Sequence, residues 1–326
     1  MNSKIENSKK ITVSKPLKLD CGKTISNFPL AYETYGQLNS EKNNAILVFH
    51  ALTGDQFITG TNPVTGKEGW WVTAIGPNKA IDTNKYFVIC ANVIGGCMGS
   101  LGPGNTDPKT KQPYGLNFPV ITIKDMVRAQ ETLLEHLDIK KLLCATGGSM
   151  GGMQLLQFCA TFPDKTFSAI PIACSSSHSA QNIALNELAR QAIMADPVWD
   201  NGKYFKKNVQ PKNGLAVARM VGHISYLSEK GMQEKFGRKL QEKADYEFSF
   251  NADFQVESYL RHQGYTFVER FDANSILYIT RAMDYFDLSK QFKGGLVEAF
   301  KNQKTKFLII SFSSDWLYTT KENKDI

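Results

Sequence analysis

A serine stands among glycines at Gly147-Gly148-Ser149-Met150-Gly151. A serine hydroxyl is a poor nucleophile until a base takes its proton, so it must be exposed both to a base and to an electrophilic carbonyl. The pattern Gly-x-Ser-x-Gly does this at a sharp turn from strand to helix, where side chains on the flanking residues would clash. The context fits. An apolar run, Leu142-Leu143-Cys144-Ala145-Thr146, precedes the turn, and a helix-like segment over 150–161 follows it. A phosphate-binding loop is the competing reading, but it needs a Lys-Ser/Thr pair that does not follow here.

A serine attacking a carbonyl creates an oxyanion, which two convergent backbone N–H groups must stabilise. Met150 supplies one at the start of the following helix, where free amides and the helix dipole favour negative charge. The other is expected from the loop His50-Ala51-Leu52-Thr53-Gly54, from Leu52. His50 ends a strand and is expected to shape this loop rather than to act as the base. Asp315, in Ser313-Ser314-Asp315-Trp316-Leu317, is the carboxylate expected to orient a histidine. An aspartate after a strand can equally be a turn former or a helix N-cap. Folds built on such a turn run in the order serine, acid, histidine. The five histidines are His50, His136, His178, His223 and His262, and none follows Asp315. Three readings follow: a missing C-terminal strand and helix, a substitute histidine from within the chain, or a protein that is not a working enzyme. The first is expected, and His223 and His262 read as structural or surface groups.

The elements that must position these residues alternate. Continuous apolar runs at 45–50, 86–91, 142–146, 167–174 and 305–312 predict strands, the first buried on both faces. Met126, Ala129, Leu133, Leu134 and Leu137 predict a helix between 124 and 138. This alternation predicts an α/β fold with a mostly parallel central sheet flanked by helices. Residues 178–300 break the rhythm: they are polar, rich in helix formers and without strand runs. They are expected to form an inserted helical lid over a core made of 1–177 and 301–326, with a lid keeping water from an acyl-enzyme.

Composition narrows the class. The 326 residues carry a net charge of +7 with 42% hydrophobic residues, an ordinary balance for a globular enzyme. The lysines are scattered, which argues against a nucleic-acid groove and permits a basic mouth for a phosphorylated acyl donor. The six cysteines show no CxxC spacing and read as reduced thiols in a cytoplasmic protein. The polar start has no apolar signal core, and no run of 18 apolar residues could span a membrane. No internal repeat and no metal-ligand spacing occurs.

Longer segments resemble the homoserine O-acyltransferase family of α/β-hydrolase enzymes. They are His50–Asp55 (HALTGD), Asn92–Pro103 (NVIGGCMGSLGP), Phe118–Gln130 (FPVITIKDMVRAQ) and Gly148–Gln154 (GSMGGMQ). Further on come Arg190–Pro197 (RQAIMADP), Ala218–Tyr226 (ARMVGHISY), Phe271–Ser275 (FDANS) and Ser311–Tyr318 (SFSSDWLY). The resemblance spans about 12–318. It implies ping-pong transfer of an acyl group from acyl-CoA to the hydroxyl of L-homoserine, in methionine biosynthesis, with no bound cofactor. Acetyl-CoA is the expected donor and succinyl-CoA the alternative. It further implies Ser149 as nucleophile, Asp315 as triad acid, Arg219 as a ligand of the substrate carboxylate, and a homodimer. The family's Gly-His-Asp segment has no counterpart here, and Thr319-Thr320 replaces a proline-containing continuation, so a slow enzyme is expected. An esterase or thioesterase of the same fold, or a non-catalytic fragment, are the competing readings.

Overall fold

The computed structural model describes residue 5 and residues 8–326. Seven strands form its central sheet: β1 (Lys9–Val13), β2 (Phe28–Tyr35), β3 (Ala45–Phe49), β4 (Phe87–Ala91), β5 (Leu142–Gly148), β6 (Thr166–Ile172) and β7 (Lys306–Phe307). Their spatial order is β1-β2-β4-β3-β5-β6-β7. The pairs from β4 to β7 are parallel; β1 and β2 join antiparallel at one edge. The mostly parallel sheet expected from the alternating runs is therefore present. The two N-terminal strands are additional, because β1 (KKITV) alternates exposed and buried residues rather than forming an apolar run.

All five residues of β3 are buried, as a strand with a neighbour on each side and helices over both faces requires. Helix α1 (Ile123–His136) starts at a reciprocal capping box between Thr122 and Asp125. Helix α2 (Met150–Thr161) packs on β5 and β6 and against α1.

The expected strand over 305–312 is shorter: regular pairing covers only Lys306–Phe307. Beyond it the Leu308 and Ile310 amides still donate to Ala169 and Pro171, at 2.9 and 3.0 Å, on the β6 side. This is an edge with one bonded flank among the described residues, and Leu308 and Phe312 are more than half exposed.

Between β6 and β7 the chain is helical: α3 (Ala180–Ala195), α4 (Lys212–Tyr226), α5 (Glu229–Lys235), α6 (Gln255–Val268), α7 (Ala273–Asp284) and α8 (Gly295–Phe300), with short 3-10 turns. The two ends of the α3–α7 excursion meet, with the Leu288 amide donating to the Ser176 carbonyl at 2.9 Å. One apolar cluster runs from Phe49, Ala145 and Phe158 under the sheet to Ile193, Leu215 and Phe267 of the helices. The helices are thus packed onto the sheet through shared apolar surface, which fixes the side chains they present to the end of β5.

Candidate active site

Ser149 sits where β5 ends and α2 begins, at φ 54° and ψ −124°. That combination lies outside the regions open to most residues and persists only when the surroundings hold it. They do so through space and hydrogen bonds. A Cβ at Gly151 would lie 2.1 Å from the Phe49 carbonyl oxygen, and one at Gly147 would meet Gly151 backbone at 2.6 Å. The Ser149 amide donates to the carbonyls of Ile172 and Ala173 at 3.0 and 3.2 Å. Although Ser149 is the N-cap residue of α2, its side chain makes no capping bond. A hydroxyl that would ordinarily satisfy a helix amide is left for chemistry.

The Met150 and Leu52 amides donate to no backbone carbonyl in a turn, loop or cap of the described residues. Leu52 lines both cavities that reach Ser149. Its loop is pinned from several directions. Gln154 Nε2 donates to the His50 carbonyl at 3.0 Å, and Arg270 Nη2 donates to the Thr53 carbonyl at 2.7 Å. His50 accepts the Val93 amide at Nε2, 3.1 Å, so its proton sits on Nδ1 and is donated to the Ala51 carbonyl at 2.8 Å. Burial above all, with the Arg270 charge adding, pushes His50 down to about 4, so it is neutral at pH 7. Both ring nitrogens are occupied, and His50 shapes the loop.

Two cavities meet at Ser149. The inner one, of about 70 Å³, is walled by Thr53, His178, Arg219, Tyr226 and Tyr318. The outer one, of about 480 Å³, is walled by Ala173, Ser228, Phe312, Asp315 and Trp316. Arg219, on α4, donates through Nη1 to Thr53 Oγ1 at 3.0 Å and lies over the Phe267 ring at 4.8 Å. Its Nε is buried without a partner, and no carboxylate pairs with it among the described residues. Burial, with repulsion from Arg270, lowers its pKa below the usual arginine range. A half-buried guanidinium that lines a cavity without a carboxylate partner is a site for an anionic group.

Asp315 lines the outer cavity. Its Oδ1 accepts the Leu317 and Tyr318 amides, both at 2.9 Å, so it shapes the loop after β7 as the turn reading anticipated. No histidine hydrogen-bonds to it among the described residues. His136 ends α1, and His262 lies exposed on α6. His223, on α4, receives or gives a 2.8 Å bond with the Tyr259 hydroxyl, and burial, with Arg219 and Lys235 nearby, pushes it down to about 4.

The histidine that does reach the site is His178, which no sequence pattern marks. Tyr318 Oη lies 3.4 Å from Ser149 Oγ and 3.3 Å from His178 Nε2. His178 Nδ1 is 3.4 Å from Asp284 Oδ1, which also accepts Asn186 Nδ2 at 2.7 Å. Arg190 Nη1 approaches Asp284 Oδ2 at 2.7 Å as an ion pair without hydrogen-bond alignment. Burial alone would raise the Asp284 pKa. The bonds from His178 and Asn186 and the Arg190 charge outweigh it and hold the carboxyl below its ordinary value. Arg190 and Tyr318 stood in the resembling segments, but nothing in the spacing of 178, 284 and 318 shows that they meet.

A family model for the alpha/beta hydrolase fold matches residues 44–319. The homoserine O-acetyltransferase of Pelagibacter ubique is 67% identical over 98% of this chain and 86% of its own length. That of Mesorhizobium japonicum is 60% identical over 96% and 80%. Among solved structures, the homoserine O-acetyltransferase of Bacillus anthracis superposes with a TM-score of 0.88 at 29% identity, covering 98% of this chain and 86% of its own. Esterase E22 superposes at 0.86 and 30% identity, covering 98% and 88%.

Proposed function

The chain belongs to the homoserine O-acetyltransferases of the α/β-hydrolase fold, and on that premise we propose that it moves an acetyl group from acetyl-CoA to L-homoserine through an acetyl-Ser149 intermediate. Ser149 Oγ attacks the thioester carbonyl as its proton departs. The Leu52 and Met150 amides receive the oxyanion, and collapse expels the CoA thiol. The homoserine hydroxyl then attacks the acetyl-serine, and the ester leaves. Arg219 holds the homoserine carboxylate in the inner cavity, so that the attacking oxygen, rather than water, is presented to the acyl carbon.

What supports this most is one arrangement: an uncapped hydroxyl at a strained turn flanked by two amides that donate to no loop carbonyl, with Ser149, Leu52 and the half-buried Arg219 lining one cavity. Asp315 belongs to the reading as the triad acid. It shares the outer cavity with Ser149, and its Oδ2 has no bond among the described residues. Helices α3–α7 serve as the lid, since they supply Arg219 and Tyr226 to the wall facing the nucleophile. The reading also includes a cytoplasmic enzyme, in keeping with six free thiols, and a homodimer formed through exposed apolar residues such as Val217, Ile224 and Tyr265.

Arg219 separates this reading from the esterase reading that the likeness to esterase E22 raises. CoA release beyond the first equivalent per Ser149 is expected to require homoserine, and Arg219→Gln to weaken that dependence. Release that ignores homoserine and Arg219 alike would favour the esterase.

A further inference from the structure

Arg270 stands between α6 and α7 and lines neither cavity at Ser149, yet it grips the loop that carries the Leu52 amide. Its Nη2 donates to the Thr53 carbonyl at 2.7 Å, and its Nη1 lies 3.6 Å from the buried Asp55 carboxylate. The Phe267 and Phe271 rings flank the guanidinium, with centres 5.5 and 5.9 Å from its carbon. The Thr53 hydroxyl is taken separately, by Arg219. The two arginines therefore hold different atoms of one residue, and only Arg270 holds the backbone.

What that bond fixes follows from the planarity of the peptide. The C=O and N–H of one trans peptide point in opposite directions, so holding one end aims the other. The Thr53 carbonyl and the Gly54 amide share a plane. Arg270 takes the first, and the second donates to the Ala51 carbonyl at 2.9 Å. The Ala51 carbonyl and the Leu52 amide share the next plane, whose carbonyl end also accepts His50 Nδ1 at 2.8 Å. The Leu52 N–H is thereby left pointing away from both of these donors, on a residue that lines both cavities at Ser149. The turn leaves no room for a side chain at 54, where a Cβ would stand 2.9 Å from His50 Cβ. The row also has a sign. A guanidinium charge lies at its far end, and each hydrogen bond polarises the next, which makes the final N–H a stronger donor. His50, neutral at pH 7, does not supply that charge.

We propose that Arg270 is a positioning residue for the oxyanion, aiming and polarising the Leu52 N–H through the Thr53–Gly54 and Ala51–Leu52 peptides. The proposal rests on Ser149 being the nucleophile and Leu52 one of its two amide donors. Without the guanidinium, the first plane is held only at its amide end, and the Thr53 carbonyl is free to turn. A hydrogen bond weakens steeply as its angle departs from linearity, so a tilt passed on to the Leu52 plane weakens its hold on the oxyanion. The oxyanion exists only once Ser149 Oγ has bonded to its target. Loss of Arg270 therefore slows bond formation and leaves initial binding unchanged. Arg270 touches neither substrate nor reacting atoms. Through it the helices reach the backbone donors on the far side of the cavity.

The test uses an alkyl fluorophosphonate. Ser149 Oγ displaces fluoride from its phosphorus, the serine proton passes to the buffer, and the phosphoryl oxygen takes the oxyanion position. This reaction needs the nucleophile and its amide donors but neither CoA nor an amino acid. The phosphonylated Ser149 peptide is followed by mass spectrometry over a range of probe concentrations, with urea unfolding to check that each variant is folded. Arg270→Gln is expected to lower the limiting rate by about 10–10²-fold at unchanged half-saturation, less than the loss of a whole oxyanion donor. Asp55→Asn, which removes the ion pair and keeps the carbonyl bond, is expected to stay within about 3-fold of the parent. Should Arg270→Gln fail to fold because Asp55 is left without its cation, the double variant Arg270→Gln with Asp55→Asn carries the test, with the same loss expected. A parent-like limiting rate without Arg270, a loss confined to half-saturation, or Asp55→Asn as slow as Arg270→Gln would overturn the proposal and leave Ser149 as nucleophile. No adduct in the parent, or one that survives Ser149→Ala, would overturn the nucleophile and the proposal together.

Discussion

The two walls that face Ser149 are built from different material. The sheet-side wall is backbone: a strained turn, the amides of Leu52 and Met150, and glycines at which any Cβ would collide with a carbonyl. The helix-side wall is side chain: Arg219, His178, Tyr226 and the buried pair of Asp284 with Arg190. Backbone dipoles cannot be moved far, so they suit a charge that develops at the same place for every acyl donor. Side chains on packed helices can be exchanged without refolding the sheet, so they suit recognition of the acceptor. The likeness of the chain both to acetyltransferases and to an esterase fits this division.

Changes on the helix-side wall should cost stability or acceptor recognition, and changes to the sheet-side wall should cost the fold around the nucleophile. Asp284→Ala has the largest expected effect. It strips the buried Arg190 of its inner carboxylate and should lower stability by about 3–4 kcal/mol, moderated because Glu187 still holds Arg190 at 2.7 Å. Urea unfolding checks this, and a midpoint within error of the parent would show that the pair is not holding the helices.

On the sheet-side wall, His50 makes the loop acid-sensitive. Its pKa is about 4 in the folded chain and 6.5 when free, so between these values the unfolded chain binds the proton and the folded one does not. Stability is therefore full above pH 6.5 and falls as the pH drops toward 4, by up to about 3 kcal/mol from this residue. Urea midpoints at pH 7, 6 and 5 should decline stepwise, and His50→Asn should flatten the decline. A parent midpoint that stays level over that range would contradict the buried neutral imidazole.

Arg219→Gln should raise the homoserine KM by about 10²-fold while leaving half-saturation by acetyl-CoA unchanged, because a charged two-pronged contact is lost only on the acceptor side. Equal effects on both substrates would merge the two roles that the walls separate. The smallest effect belongs outside both. Leu308→Ser, on an exposed edge position, should change stability by less than about 0.5 kcal/mol in urea unfolding.

The same contrast explains how much could be read from the sequence. The turn at Ser149, the runs at 45–50 and 142–146 and the helix over 150–161 were legible because they obey local rules: glycine where no side chain fits, apolar runs where both faces are covered. The N-terminal strands were not, since β1 alternates at an edge, and the run at 305–312 promised more strand than one bonded flank sustains. Asp315 was singled out by its place after the last strand run and Arg219 by resemblance, and they line the two cavities at Ser149. The row from Tyr318 through His178 to Asp284 could not be read. It joins positions more than a hundred residues apart through helix packing, which leaves no local pattern.

The central claim is that Ser149 holds an acyl group long enough for an amino-acid alcohol to collect it. The direct measurement is a chase: acetylate the protein with acetyl-CoA, remove excess donor by rapid desalting, and divide the sample between buffer and buffer with L-homoserine. The account predicts an acetyl group on the Ser149 peptide that persists in buffer and transfers to the homoserine oxygen in the second sample. Decay at one rate in both samples, or an acetyl group on another residue, would contradict it.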